Sequence, residues 1–236
     1  MKAMVFAAGV GSRLGELTAT TPKCLLKVGD HTILELVISR LKSVGVSAIA
    51  INVHHLADAV IDFVRSKSNF DIEVVFSHEA TLLDTGGGLK KLRSFFEKED
   101  AFIIHNSDIF SLCDLSALIQ IHRARNAVGT LAVMEQESSR GLYFNRNNVL
   151  VGWTQESQGA PEDGRALAFS GISIASGELF SYMAEADTFS LIRPYLEASR
   201  ATSRVWGVTI PAEDWVDMGT PEHLALLRSR LTKNIE

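Results

Sequence analysis

The chain has 236 residues, of which 46% are hydrophobic and 22% charged, and its formal net charge is −5. This composition is typical of a globular protein with a large core, built as one large domain or two small ones. The acidic balance and the lack of a basic run give no electrostatic reason to expect nucleic acid as a partner. Two distant cysteines, Cys24 and Cys113, argue against a disulfide scaffold or a zinc knuckle and favour a reducing compartment.

Membrane insertion is not expected either. No apolar stretch approaches the roughly 20 residues that span a bilayer. The short N-terminal apolar run leads into a loop instead of a signal cleavage site. We therefore expect a cytoplasmic protein with no membrane partner.

Apolar runs and helical patterns alternate through the first half of the chain. The near-continuous apolar run at 47–53 is typical of a strand covered on both faces. The alternation predicts an α/β fold with a doubly wound, mostly parallel, Rossmann-like sheet. The predicted strands are 4–7, 47–53, 71–77, 101–105 and 129–134, and the predicted helices are 33–44, 57–64, 89–96 and a helix capped by Asp114 that runs to about 123.

The second half is more polar and richer in turns. Asn147 and Asn148 predict a hairpin within 143–164, and Thr220 is placed to cap a closing helix. Since no linker or repeat is present, we expect a single domain over residues 1–236, with a small C-terminal subregion that covers the substrate. The other predicted elements are strands at 165–176, 204–210 and 215–218 and helices near 178–184 and 189–198.

The segment "AAGVGSRLG" (7–15) follows the first strand and has three interpretations. A dinucleotide-binding loop has the pattern G-x-G-x-x-G, but here the third glycine, Gly15, comes one position late and Arg13 lies in the turn. A P-loop needs a Lys-Ser or Lys-Thr pair, which is missing. The third interpretation is a plain turn that uses glycine for positive φ.

Two cations next to these glycines favour a triphosphate site. Arg13 can form a bidentate fork with phosphate oxygens while loop N–H groups bind the same phosphates. Lys23, held in direction by Pro22, can add a second positive charge. Open α/β sheets bind ligands where strands end, so both cations stand where a ligand is expected, although each alone is commonly a solvated surface residue.

These segments together resemble the signature of the sugar-phosphate nucleotidyltransferases. "AAGVGSRLGELT…TPKCL" is followed in family order by "DTGGG" (84–88), "NSD" (106–108), "FSGISI" (169–174) and "WVDMGTPEH" (215–223). The chain is most similar to the N-acetylmuramate-1-phosphate uridylyltransferase type. It departs from the family at Cys24, which replaces a proline, and in "WTQESQGAP", which lacks the lysine that many relatives use to hold the sugar phosphate.

The resemblance implies the reaction NTP + sugar 1-phosphate → NDP-sugar + pyrophosphate, with NTP and sugar 1-phosphate as partners and Mg²⁺ as cofactor. The half 1–134 would bind the nucleotide and the half 135–236 the sugar. Arg13 and Lys23 would be catalytic, and Asp108 and Asp217 would bind Mg²⁺. The implied nucleotide contacts are Ala8, Gly9, Gly11, Ser12, Arg13, Lys23, Ala80, Asp84, Gly86, Gly87 and Asn106, and the implied sugar contacts are Asn106, Gly171 and Trp215.

Simpler roles remain open for several of these residues. Asp108 can merely cap a following helix, the triple glycine can be a flexible turn ahead of its helix, and Trp215 can belong to the core or its rim. His54, His55 and His105 lack ligand spacing and are expected to be structural or rim residues.

Three other functions also remain open. Within the family, the alternative is a mannose- or heptose-1-phosphate guanylyltransferase. Outside it, the alternatives are a nicotinamide-dependent oxidoreductase and a non-catalytic nucleotide sensor.

Overall fold

The computed structural model of the protein describes residues 1–136, 138, 140–156 and 161–233, with side chains up to residue 230. Short 3₁₀ turns at Ser12–Thr18, Lys23–Leu25, Ser68–Asp71, Gly177–Tyr182 and Ala212–Asp214 connect the longer elements. In chain order these are β1 (Lys2–Phe6), β2 (Lys27–Val28), β3 (His31–Thr32), α1 (Ile33–Ser43), β4 (Ala48–Val53), α2 (Ala57–Ser66), β5 (Glu73–His78), α3 (Asp84–Lys90), α4 (Arg93–Phe96), β6 (Phe102–Asn106), β7 (Ile109–Ser111), α5 (Leu115–Ala124), β8 (Gly129–Met134), β9 (Leu142–Phe144), β10 (Leu150–Trp153), β11 (Arg165–Ala175), α6 (Ile192–Thr202), β12 (Val205–Thr209), β13 (Trp215–Asp217) and α7 (Pro221–Lys233).

The chain forms two compact units, each assembled from separate stretches of sequence. The first unit contains Met1–Leu82, His105–Leu112 and Trp215–Glu236, and the second contains Leu83–Ile104 and Cys113–Asp214. The single domain expected over residues 1–236 stays a prediction. No helix in the described part of the chain is both long and apolar enough to cross a membrane.

Three parallel strands form the centre of the first unit. β4 lies between β1 and β5, and Ile49 of β4 is opposite Ala3 on one side and Val74 on the other. All six residues of β4 are buried, as the apolar run at 47–53 predicted. α1 begins with a capping box, in which the Glu35 amide donates to Thr32 Oγ1 and the Thr32 amide donates to Glu35 Oε2. The predicted strand and helix are therefore confirmed.

Two short strands bring distant parts of the first unit together. β7 and β13 pair antiparallel with Asp217 opposite Ile109, and the Met218 amide donates to the Asp108 carbonyl at 2.9 Å. Thr220 Oγ1 accepts from the His223 amide, which confirms the predicted cap of α7. The pairing places Asp108 and Asp217, which are far apart in sequence, beside each other.

β8 is the central strand of the second unit. It runs parallel to β12 and antiparallel to β11, and the hairpin β9–β10 pairs with β11 through β9. Asp114 caps α5 by accepting the Ala117 amide at 3.0 Å, and Asn148 in the hairpin turn has a positive φ of 60°. The predicted cap and hairpin are both confirmed.

The sequence analysis predicted that the triple glycine lies ahead of a helix, but in the structure it lies inside one. α3 begins at Asp84, and the Gly86 amide donates to the Phe189 carbonyl at 2.8 Å. A Cβ atom on Gly87 would lie only 1.9 Å from the Asp187 carbonyl oxygen. This tertiary packing requires glycine within the helix. Glycine has a low helix propensity, so the sequence analysis placed the helix start too late, at residue 89. The predicted helix at 178–184 is likewise a 3₁₀ turn.

Candidate active site

The glycine-rich loop after β1 is closed by a buried threonine. Gly11 has a left-handed φ of 66°, and a Cβ atom there would lie 2.9 Å from Thr18 Cγ2. Thr18 Oγ1 lies 3.0 Å from the Gly11 carbonyl oxygen and 3.2 Å from that of Gly15, whose φ is 55°. Gly11 is thus required by both its φ and its packing. Sequence analysis missed Thr18, because its role depends on contacts made through the turn.

Lys23 lies between the two aspartates. Its Nζ donates to Asp108 Oδ2 and is 3.8 Å from Asp217 Oδ1, and only 10% of its side chain is exposed. Asp217 Oδ1 is buried and has no hydrogen-bond partner among the described residues. Burying a cation with two carboxylates carries a desolvation cost, and such charged clusters often occur at functional sites. We therefore treat this cluster as the candidate active site.

Arg13 approaches the Asp217 carboxylate from the loop but stays exposed. Its Nη2 lies 4.0 Å from Asp217 Oδ2, and 68% of its side chain is exposed. A Cβ atom on Gly219 would come within 2.6 Å of Nη2, so Gly219 leaves room for the guanidinium. A long, exposed ion pair adds little to stability. The donors of Arg13 are therefore available for an anionic ligand.

Two other ionisable groups near the cluster, Cys24 and His105, are held neutral. Burial raises the pKa of the Cys24 thiol to about 12, so this residue stays protonated and is a poor nucleophile. Burial lowers the pKa of His105 to about 4, and its Nδ1 donates to the Asn106 carbonyl at 2.8 Å. The expectation that His105 is structural agrees with this arrangement.

The two aspartates fit Mg²⁺ as part of its coordination shell. No group of three or more His, Cys, Asp or Glu side chains able to hold a metal occurs among the described residues. Mg²⁺ commonly takes one or two carboxylates from the protein and completes its shell with phosphate and water oxygens. Asp108 and Asp217, whose Oδ1 is buried without a hydrogen-bond partner among the described residues, supply such a pair.

Three further predicted residues lie in the first unit. Ala80 is exposed shortly after β5. Asn106 is half-buried at the end of β6, one residue after His105. Trp215 is half-buried on β13, opposite Ser111.

Four other predicted site residues, Asp84, Gly86, Gly87 and Gly171, belong to the second unit. Asp84 has a positive φ of 57°, and its Oδ1 accepts the Thr85 amide at 2.6 Å. Gly86 and Gly87 are buried against the chain around Asp187, so the fold itself requires these glycines. Gly171 has a φ of 81° where the register between β11 and β8 shifts. Their predicted ligand contacts stay predictions.

A pocket in the second unit was not predicted from the sequence. It has a volume of about 910 Å³ and lies at the ends of β8, β9 and β11. Tyr143 and Thr154 line it, together with Arg165, whose Nη1 donates to Glu135 Oε1 at 2.8 Å. An aromatic face with charged and hydroxyl groups suits a polyhydroxylated ligand. In the sequence, the predicted hairpin was the feature that could have pointed to this pocket.

The sequence profile described as "Nucleotidyl transferase" matches residues 2–144, more than half of the chain. The chain therefore belongs to the nucleotidyl transferase family, an enzyme family, which confirms the resemblance seen in its motifs.

Two relatives illustrate the range of sequence similarity. A UTP–glucose-1-phosphate uridylyltransferase from Synechocystis is 27% identical over 100% of this chain and 65% of its own length. An N-acetylmuramate alpha-1-phosphate uridylyltransferase from Neisseria meningitidis serogroup B is 29% identical over 93% of this chain and 94% of its own length. The chain thus spans slightly less than two thirds of the first relative and nearly all of the second.

The fold is shared with solved structures at low sequence identity. A UDP-glucose pyrophosphorylase complexed with UDP-glucose matches with a TM-score of 0.80 at 16% identity, covering 99% of this chain and 98% of that one. The α/β, mostly parallel, Rossmann-like fold predicted from the sequence is confirmed.

Proposed function

We propose that this protein is a sugar-1-phosphate nucleotidyltransferase that makes an NDP-sugar and pyrophosphate from an NTP and a sugar 1-phosphate. The observation that carries the proposal is the cluster at the glycine-rich loop, where Lys23 contacts Asp108 and Asp217 and Arg13 lies beside Asp217. Because both reported relatives are uridylyltransferases, we propose UTP with N-acetylmuramate 1-phosphate or a similar sugar as the substrate pair.

The reaction needs no nucleophile from the protein. A phosphate oxygen of the sugar 1-phosphate attacks the α-phosphorus of the NTP and forms a new P–O bond. The bond to the β-phosphate breaks, and pyrophosphate leaves with the electron pair. The attacking oxygen is already anionic, so catalysis depends on positioning and charge neutralisation. This requirement agrees with a site where Cys24 is protonated and His105 neutral.

In this proposal, different groups of the protein bind different phosphates of the NTP. The loop from Ala8 to Ser12 and the Arg13 guanidinium bind the leaving pyrophosphate, and Lys23 binds at the α-phosphate. Asp108 and Asp217 hold Mg²⁺, which when bound neutralises charge on the reacting phosphates. Since Lys23 Nζ contacts both aspartates here, its ammonium must exchange carboxylate oxygens for phosphate oxygens when the nucleotide binds.

We assign the base and the sugar to the remaining predicted residues. Ala80, Asp84, Gly86, Gly87 and Asn106 are proposed to contact the nucleotide. Since glycine has no side chain, Gly86 and Gly87 would contribute only backbone groups. Asn106, Gly171 and Trp215 are proposed to contact the sugar.

Pyrophosphate release with a panel of substrates tests this function. Four NTPs are combined with N-acetylmuramate, glucose, mannose and heptose 1-phosphates in the presence of Mg²⁺, and kcat/KM is measured for each pair. We expect the highest value for UTP with N-acetylmuramate 1-phosphate. A preference for GTP with mannose or heptose 1-phosphate would support the guanylyltransferase alternative.

Two controls separate the functions outside the family. Nucleotide binding without pyrophosphate release in any pair would indicate a sensor. Reduction of NAD by a sugar substrate would indicate an oxidoreductase. We also propose a cytoplasmic location, which fractionation of the source cells would test.

A further inference from the structure

A buried side-chain amide holds the start of the glycine-rich loop. Asn52, on β4, is only 3% exposed, and its Oδ1 accepts the Ala7 amide at 2.8 Å. Ala7 is the first residue after β1, so this hydrogen bond fixes the chain where the strand becomes the loop. The other end of the same amide, Nδ2, donates to Glu79 Oε1 at 2.7 Å.

Glu79 is in turn fixed at its backbone. Its amide donates to the Val53 carbonyl at 2.8 Å, and its carbonyl accepts from His54 Nδ1 at 2.8 Å. Glu79 is 1% exposed and immediately precedes Ala80. The backbone of β4 and its following residues therefore sets the position of Glu79, Glu79 orients Asn52, and Asn52 positions Ala7.

Apolar side chains would fill these two positions without the cost of burying an amide and a carboxylate. The direction of the hydrogen bonds also matters. An Asn side chain can accept from Ala7 and donate to Glu79 at once only in one orientation, and the hydrogen bond from Asn52 Nδ2 to Glu79 Oε1 selects that orientation. The pair thus restricts the first peptide of the loop more strongly than packing alone.

We propose that Asn52 and Glu79 are a positioning pair that sets the start of the glycine-rich loop for binding the nucleoside triphosphate. The inference rests on the proposed function. Neither residue touches a reacting atom, and both act through the Ala7 amide. Loss of the pair therefore weakens the NTP complex and leaves binding of the second substrate unchanged.

Four variants test this role: Asn52→Ala, Glu79→Ala, Glu79→Gln and the double alanine variant. We expect Asn52→Ala and Glu79→Ala each to raise the Kd and KM for the NTP by about tenfold, the effect of losing one buried hydrogen bond. Glu79→Gln should stay within about threefold of the parent, because its amide oxygen still accepts from Asn52. Since the residues act in series, the double variant should be no worse than either single one.

The matched control removes another buried hydrogen bond. Ser199→Ala loses the bond from Ser199 Oγ to the Leu150 carbonyl in the second unit. It should lower Tm without changing the KM for the NTP. If Asn52→Ala does not fold, Asn52→Ser, whose hydroxyl is too short to replace both contacts, takes its place.

Three results would overturn the proposal. An unchanged NTP affinity in folded Asn52→Ala, or equal increases in both substrate KM values, would overturn the positioning role. Equal damage from Glu79→Gln and Glu79→Ala would also overturn it. NTP Kd is measured by calorimetry as well as by turnover. If the parent protein binds nucleotide but transfers none, the proposed function fails, while the Kd values still decide the role of the pair.

Discussion

Glycines are concentrated in two segments of this protein for different physical reasons. The loop after β1, in the first unit, contains Gly9 and Gly11, and α3 in the second unit contains Gly86 and Gly87. A Cβ atom on Gly9 would meet nothing within 4 Å, and its φ is not positive. A Cβ atom on Gly87 would lie 1.9 Å from a backbone oxygen of the same unit.

The difference shows how to separate glycines that serve the fold from those that serve a ligand. In a helix, each glycine costs about 1 kcal/mol relative to alanine, so α3 needs a packing reason, and the contacts around Asp187 supply it. Gly9 has no such reason within the described structure. Under the proposed function, a ligand approaches the loop backbone at Gly9.

The largest expected effect is on catalysis, and it comes from removing a negative charge beside the glycine-rich loop. Asp108→Asn and Asp217→Asn should each lower kcat by about a thousandfold or more, because each weakens metal binding and charge neutralisation at the phosphates. Excess EDTA should have the same effect on the parent protein. Pyrophosphate release with and without added Mg²⁺ measures both.

Asp114→Asn is the matched control, since asparagine caps α5 as well as aspartate does. It should keep full activity. Full turnover in EDTA, or near-normal rates in both active-site variants, would exclude a metal role for these aspartates.

The next effect concerns α3 and appears in stability. Gly87→Ala forces a methyl group against the Asp187 carbonyl and should cost about 3 kcal/mol or more. For a chain of this size, that loss lowers Tm by about 6–12 °C. Calorimetry measures it. A normal Tm would mean that the packing around Asp187 gives way easily and that the glycines of α3 need another explanation.

Arg13→Lys probes the loop without disturbing the fold. Lysine keeps the charge but loses the bidentate fork, so kcat/KM for the NTP should fall by about tenfold to a hundredfold. Tm should change little, because the ion pair of Arg13 with Asp217 is long and exposed. Unchanged kinetics would mean that the loop is only a turn, and a joint loss of activity and Tm would make Arg13 a structural residue.

Gly9→Ala gives the smallest effect and completes the comparison with Gly87→Ala. The KM for the NTP should rise by about threefold to tenfold as the methyl group meets the ligand, while stability changes by less than about 0.5 kcal/mol. Kinetics and thermal unfolding of the same preparation test it. A drop in Tm comparable to that of Gly87→Ala would remove the distinction between the two segments.

Much of the fold could be predicted from local sequence. The run at 47–53, the capping residues Asp114 and Thr220 and the hairpin turn at Asn148 each carry their own signal, because burial on both faces, capping and positive φ are local requirements. The fold brings the motif residues Lys23, Asp108 and Asp217 together, and their roles at the phosphates and the metal stay predictions.

The rest depends on contacts between distant residues. The sequence analysis placed the glycines of α3 ahead of the helix, because their helical conformation depends on packing against the chain around Asp187. Thr18 and Asn52 were missed because their partners, loop carbonyls and the Ala7 amide, become neighbours only after folding. The apolar run at 47–53 indicates that Asn52 is buried, but it does not show which groups the side chain of Asn52 binds.

³¹P NMR of the reaction mixture tests the central claim, that the cluster at the loop joins a nucleotide to a sugar phosphate. With UTP, N-acetylmuramate 1-phosphate and Mg²⁺, we expect the sugar-phosphate signal to be replaced by the paired signals of a diphosphate ester. Pyrophosphate should form in equal amount, and none should form when the sugar 1-phosphate is left out. An unchanged sugar-phosphate signal while UTP is cleaved, across the whole panel of sugar 1-phosphates, would contradict the claim.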